Sequence, residues 1–103
     1  MPRLRIVVAD DHTLVRQGLC KILGDNPDWE VVGQASTGRE AVQLVLDIEP
    51  DVAIIDIGMP QLNGIEASRQ LTRRLPSLHV LILSMYSDEA YITQALQAGA
   101  QGY

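Results

Sequence analysis

Three acidic side chains at the ends of two short apolar runs are the residues of this chain best placed to do chemistry. Asp56 closes the run Val52-Ala53-Ile54-Ile55, and Asp10-Asp11 closes a second run at 4–9 that has Arg5 inside it. Short apolar runs suit strands of a parallel sheet covered on both faces. In open parallel sheets, ligands bind beyond the carboxyl ends of the strands. With the two strands as neighbours, three carboxylates meet at one sheet edge. They repel one another until a proton or a cation neutralises them. A hard divalent ion with oxygen ligands, Mg²⁺, is the natural occupant. The expected chemistry is therefore phosphate handling.

The elements that must position these acids alternate in type. Strands are expected at 4–9, 30–35, 51–55 and 80–84, and helices at 13–23, from 37 to 49, from 63 to 75, and from 87 to 98. In the first helix Val15, Gly18, Leu19 and Ile22 stand at helical spacing. Gly24, Asn26 and Pro27 stop it. Thr37-Gly38-Arg39-Glu40 reads as a capping box, followed by the stripe Ala41, Leu44, Val45, Ile48. Asn63 caps the third helix with Glu66 at its third position, and Ile65, Leu71 and Leu75 anchor it. Ser87 caps a fourth helix with Ile92, Ala95 and Leu96 inward, and Gly99 ends it. Strand-helix alternation at this spacing predicts a parallel sheet with helices on both faces.

Composition narrows the function. One domain fits 103 residues, and 47% hydrophobic content suffices for one core. A net charge of -5 argues against direct nucleic-acid binding by this segment. No apolar stretch approaches a membrane span, and the N-terminus lacks a secretory pattern. Cys20 is the one cysteine, so an internal disulfide is impossible, and it reads as a small packed hydrophobe. The expected location is the cytoplasm. Trp29 reads as a packing residue, and Arg73-Arg74 as a solvated helix end.

One ordered set of residues resembles the receiver domain of two-component response regulators. It comprises Asp10-Asp11, Asp56, Met59-Pro60, Gly64 and Ser84, with the approach to a fifth strand in Ala98-Gly99-Ala100-Gln101-Gly102-Tyr103. Val8-Ala9-Asp10-Asp11-His12 with Val15-Arg16-Gln17-Gly18-Leu19 resembles the NarL/FixJ subgroup, which carries a LuxR-type helix-turn-helix output domain. The resemblance implies a flavodoxin-like, doubly wound α/β sheet in strand order 2-1-3-4-5. It implies that Asp56 is the phosphoacceptor, taking its phosphoryl group from a sensor histidine kinase. It implies Mg²⁺ held by Asp11, Asp56 and the backbone carbonyl of Gly58, with Asp10 acting mainly through water. Ser84 would donate its hydroxyl to the phosphoryl oxygens, and Tyr103 would be the aromatic switch. Further implied partners are a second receiver in a homodimer, and DNA only through an output domain outside residues 1–103; no membrane is implied. The module would be a signalling phosphoacceptor that catalyses its own phosphorylation and dephosphorylation, not an enzyme acting on other substrates.

The resemblance also places a lysine three positions beyond Tyr103. The expectation is a receiver cut before strand five ends, with that strand and the fifth helix incomplete and the edge at 80–83 open to self-association. Lys21 cannot substitute, because ten helical residues put it about 15 Å along the axis from Asp11; Arg16, one turn into the helix, is a poor substitute too. His12 reads as a rim residue, since Mg²⁺ prefers oxygen. Asp10 could equally cap the first helix. Two other classes compete: a Mg²⁺-dependent phosphohydrolase, which wants an acid where Gly58 stands, and an interaction module that is never phosphorylated.

Overall fold

The computed structural model describes residues 3–58 and 62–83. Its elements run β1 (Leu4–Ala9), α1 (Thr13–Gly24), β2 (Trp29–Ala35), α2 (Gly38–Ile48), β3 (Val52–Asp56), α3 (Gly64–Arg74) and β4 (His79–Leu83). All strand pairs are parallel, in the order β2-β1-β3-β4. This is the flavodoxin-like order through the fourth strand. The expectations for strand five, helix four, Met59, Pro60, Ser84, Ser87 and Tyr103 lie outside the described residues.

Both faces of the sheet carry core, which is why β3 and the later part of β1 read as unbroken apolar runs. Val7, Ala9, Ala53, Ile55, Val80 and Ile82 face one way and pack with Ala41, Val45, Ile65 and Leu71 of α2 and α3. Ile6, Val8 and Ile54 face the other way and pack with Leu23, Leu19 and Cys20 of α1. The register of β1 on β2 shifts between Ile6 and Val7, so Val32 is an extra residue in β2.

Helix ends follow the side chains that satisfy them. Thr37 Oγ1 accepts the Glu40 N–H at 3.1 Å, and Asn63 Oδ1 accepts the Glu66 N–H at 2.9 Å. Only half of the expected capping box at Thr37 is made, because Glu40 Oε2 instead accepts from the Ser36 hydroxyl at 3.4 Å. α2 ends on Glu49 in a left-handed turn, φ 52°, just before Pro50, which disfavours a helical residue at 49.

α1 departs from the sequence reading. Of Val15, Gly18, Leu19 and Ile22, only Leu19 turns toward the sheet; Val15 and Ile22 are 53% and 69% exposed. The facing stripe is Arg16, Leu19, Cys20 and Leu23, in steps of three and four. Its first member is polar because Arg16 bonds to the end of β1.

Candidate functional site

The strand order reverses between β1 and β3: α1 carries the chain to β2 on one side of β1, and α2 carries it back to β3 on the other. Ligands of such sheets bind at this switch point, beyond the strand carboxyl ends. The β1–β3 register pairs Ala9 with Ile55, so the next residues, Asp10 and Asp56, emerge side by side. Asp10 continues the ladder through its N–H to the Ala35 carbonyl, 3.0 Å.

Asp10 is buried, 5% exposed, while Asp11 and His12 are exposed and Asp56 is half-buried. One ligand atom from each of Asp10, Asp11, His12 and Asp56 lies within 4.8 Å of the others. The His12 N–H donates to Asp10 Oδ1 at 2.8 Å, which folds the β1–α1 turn over the carboxylate. The possible capping role of Asp10 thus takes this form, with His12 itself at the N-cap of α1. His12 Nδ1 stands 3.1 Å from both Asp10 Oδ1 and Asp11 Oδ1.

The electrostatics are those of an anionic pocket. Burial pushes the Asp56 carboxyl above its ordinary range, Asp10 and then Asp11 push it further, and the Gly58 N–H and His12 act the other way. The His12 imidazole is raised by its hydrogen bond to Asp10 and by the charges of Asp11 and Asp10. A donor set of three carboxylates, one held half-buried against its neighbours, fits a divalent cation with oxygen ligands. Asp56 and Gly58 lie on one turn, since a Cβ at Gly58 would stand 3.8 Å from Asp56 Oδ2.

Two residues shape this site in roles that the sequence reading did not give them. Arg16 Nη1 donates to the Asp10 carbonyl at 2.7 Å and its Nε to Gln34 Oε1 at 3.2 Å, tying α1 and β2 to the acidic turn. From sequence Arg16 is weighed as a stand-in for a lysine, and its bonds reach six residues back and eighteen forward in the chain, outside any local spacing pattern. Gly64, the first residue of α3, packs directly on the main chain of Asp56 and Ile57. Lys21 is exposed on α1. Ser84 and Tyr103 lie outside the described residues. A cleft of about 420 Å³ lined by Glu49, Asp51, Arg74 and Leu78 opens at the amino ends of β3 and β4, the opposite edge of the sheet from the acids.

Comparison with known proteins gives one consistent answer. The family model described as response regulator receiver domain matches residues 6–103. The chain is 46% identical over 101 residues to the transcriptional regulatory protein DegU of Brevibacillus brevis, covering 98% of this chain and 43% of DegU. The solved signal receiver domain of NarL from Mycobacterium tuberculosis superposes with a TM-score of 0.94 at 36% identity, over 99% of this chain and 82% of that one. A two-component response regulator of the LuxR family from an Aurantimonas species gives 0.93 at 34% identity, over 98% and 72%. The chain spans less than half the length of the curated relatives it matches.

Proposed function

The chain belongs to the response regulator receiver domain family, and from that premise we propose that Asp56 is its phosphoacceptor. The observation that carries the assignment is the β1–β3 register, which sets Asp56 beside Asp10, with Asp11 completing the acid set. The Asp56 carboxylate attacks the phosphorus of a phosphohistidine on a sensor kinase. A P–O bond to Asp56 forms, the P–N bond breaks, and its electron pair returns to the imidazole. Phosphoryl transfer depends on positioning and charge neutralisation more than on acid-base chemistry. Asp11, Asp56 and the Gly58 carbonyl would hold Mg²⁺, with Asp10 acting through water. When bound, the ion screens the acids and balances charge on the transferring group. The Gly58 N–H and the Arg16-braced turn hold the acids in place.

The remainder of the reading rests on family resemblance. Ser84 donates its hydroxyl to the phosphoryl oxygens, and Tyr103 turns in response. The added charge of about -2 biases two pre-existing conformations, and the domain catalyses loss of its own phosphate. Residues 1–103 act in the cytoplasm, pair with a second receiver, and control a LuxR-type DNA-binding domain elsewhere in a longer protein. Among the described residues no helix is long and apolar enough to cross a membrane.

Incubation with a small phosphodonor and Mg²⁺, read by intact mass, tests the assignment. A stable added phosphate in wild type that is absent in Asp56→Asn is expected. Turnover without accumulation would favour a phosphohydrolase, and no reaction an interaction module. Phosphate uptake by Asp56→Asn at the wild-type rate would overturn Asp56 as acceptor.

A further inference from the structure

The β1–β3 register sets Asp56 beside Asp10, but Gly58 lies beyond that ladder. The connection from β3 to α3 that carries Gly58 needs other supports, and two are visible. Its ends are closed by the Gly64 N–H, which donates to the Ile57 carbonyl at 2.9 Å. Farther out, the main chain of Leu62 rests on Gly38, the buried first residue of α2. A Cβ at Gly38 would run into the Leu62 carbonyl oxygen and stand 2.7 Å from the Leu62 Cβ. That carbonyl therefore meets the positive end of α2, where main-chain N–H groups lack intrahelical partners. The start of α2 is itself fixed. Thr37 Oγ1 accepts the Glu40 N–H at 3.1 Å, and the Ala35 carbonyl accepts the Asp10 N–H at 3.0 Å. A run of short contacts thus leads from Asp10 through Ala35 and Gly38 to Leu62.

We infer that Gly38 is a positioning residue of the acid site: its missing side chain lets the β3–α3 connection seat on α2, which sets where the Gly58 carbonyl stands relative to Asp10 and Asp11. The inference rests on the Mg²⁺ reading above and assigns the support of one of its ligands. The other glycines show what is particular here. At Gly18 and Gly24 a Cβ would meet nothing within 4 Å. At Gly33, under the later part of α2, it would meet Leu44 Cδ2 at 2.9 Å and Ile48 Cδ1 at 3.2 Å, which are movable side-chain ends. At Gly38 the obstacle is main chain, which no rotamer change can clear. Either α2 or the connection must then move. Ala41 and Val45 lock α2 into the core, fully buried, while Leu62 is only half-buried, so the connection yields first.

The test compares wild type, Gly38→Ala and Gly33→Ala, each phosphorylated by acetyl phosphate over a range of Mg²⁺ concentrations and read by intact mass. Both substitutions crowd α2 and should lower the melting temperature. Only Gly38→Ala should raise the half-saturating Mg²⁺ concentration, by about tenfold or more, as loss of support behind a metal ligand does. Gly33→Ala should stay within about twofold of wild type. A second measurement needs no variant. In ¹⁵N-labelled wild type, the amide resonances of Gly58 and Gly38 should shift with one shared Mg²⁺ midpoint. A Gly38→Ala midpoint equal to that of Gly33→Ala would overturn the positioning role and leave the acid site standing. So would a wild-type titration that moves Gly58 and leaves Gly38 in place. A wild type that takes up neither Mg²⁺ nor phosphate would overturn the Mg²⁺ reading and this inference with it.

Discussion

The main chain of Gly64 lies against the carbonyl group of Asp56. A Cβ at Gly64 would come 2.7 Å from the Asp56 carbonyl carbon and 2.9 Å from the Ile57 Cα, and the Gly64 N–H donates to the Ile57 carbonyl at 2.9 Å. The start of α3 and the end of β3 are thus in direct backbone contact, with no side chain between them to absorb a change.

Gly64→Ala should therefore push α3 away from the residue proposed to take phosphate. Overpacking of this kind costs about 1–3 kcal/mol, and each 1 kcal/mol lowers the melting temperature of a domain this size by about 4–8 °C. Phosphorylation by a small donor should slow as well, because Asp56 shifts. Thermal unfolding and mass spectrometry read the two effects, and an unchanged melting temperature would show that the helix retreats at no cost.

Asp56→Asn should raise the melting temperature of the metal-free protein at neutral pH. The Asp56 carboxyl is raised by burial and then by Asp10. Between its ordinary and raised values the folded state holds more protons than the unfolded, so stability falls as pH rises through that window. The difference between Asp56→Asn and wild type should be greatest near neutrality and shrink toward acid pH. Mg²⁺ at millimolar concentration should offset the same repulsion. It would stabilise wild type by about 2.7 kcal/mol at one hundred times its dissociation constant, with most of that response lost in Asp11→Ala. Calorimetric melting from pH 4 to 8, with and without Mg²⁺, checks both; a flat difference, or a Mg²⁺-independent melt of the wild type, is the adverse result.

Arg16→Ala should weaken the acidic turn. The guanidinium is half-buried and spans the Asp10 carbonyl and Gln34. Hydrogen bonds from a charged donor contribute about 1.5–3 kcal/mol, so a loss of about 2 kcal/mol is expected, with weaker Mg²⁺ binding. Arg16→Lys should restore part of the stability only, since one ammonium cannot reproduce the two-armed contact. Full recovery with Lys would mean that charge alone suffices.

What was legible in the sequence were features written in local pattern. Apolar runs ending in Asp10 and Asp56 marked the strand ends and the site, and Thr37 and Asn63 marked two helix starts. The sheet order followed from a resemblance carried by those same acids. What was hidden depends on tertiary contact. The rotation of α1 could not be read because a polar residue, Arg16, heads the stripe that faces the sheet. The register shift at Val32 and the left-handed Glu49 follow from pairing and packing. The hydrogen bond of His12 to Asp10 depends on how the β1–α1 turn folds.

The apolar surface left open by that rotation supports a last prediction. Leu14 is 84% exposed, Ile22 69% and Val15 53%, all on α1. On β4, Val80 and Ile82 face the α2–α3 core, so Leu81 and Leu83, 40% and 39% exposed, point to the side of the sheet that α1 partly covers. Apolar surface of this extent marks an interface when it is contiguous, and among the described strands β4 forms one of the two sheet edges, which invites pairing. The 103-residue chain should therefore self-associate in a concentration-dependent way at protein concentrations on the order of 100 μM. Replacing Leu14 and Ile22 together by Glu should suppress this with little effect on folding, because neither side chain enters the core. Size-exclusion chromatography with light scattering is the measurement. A wild-type chain that stays monomeric at every concentration, with a melting temperature like that of the double variant, would show that this face needs no second copy to cover it.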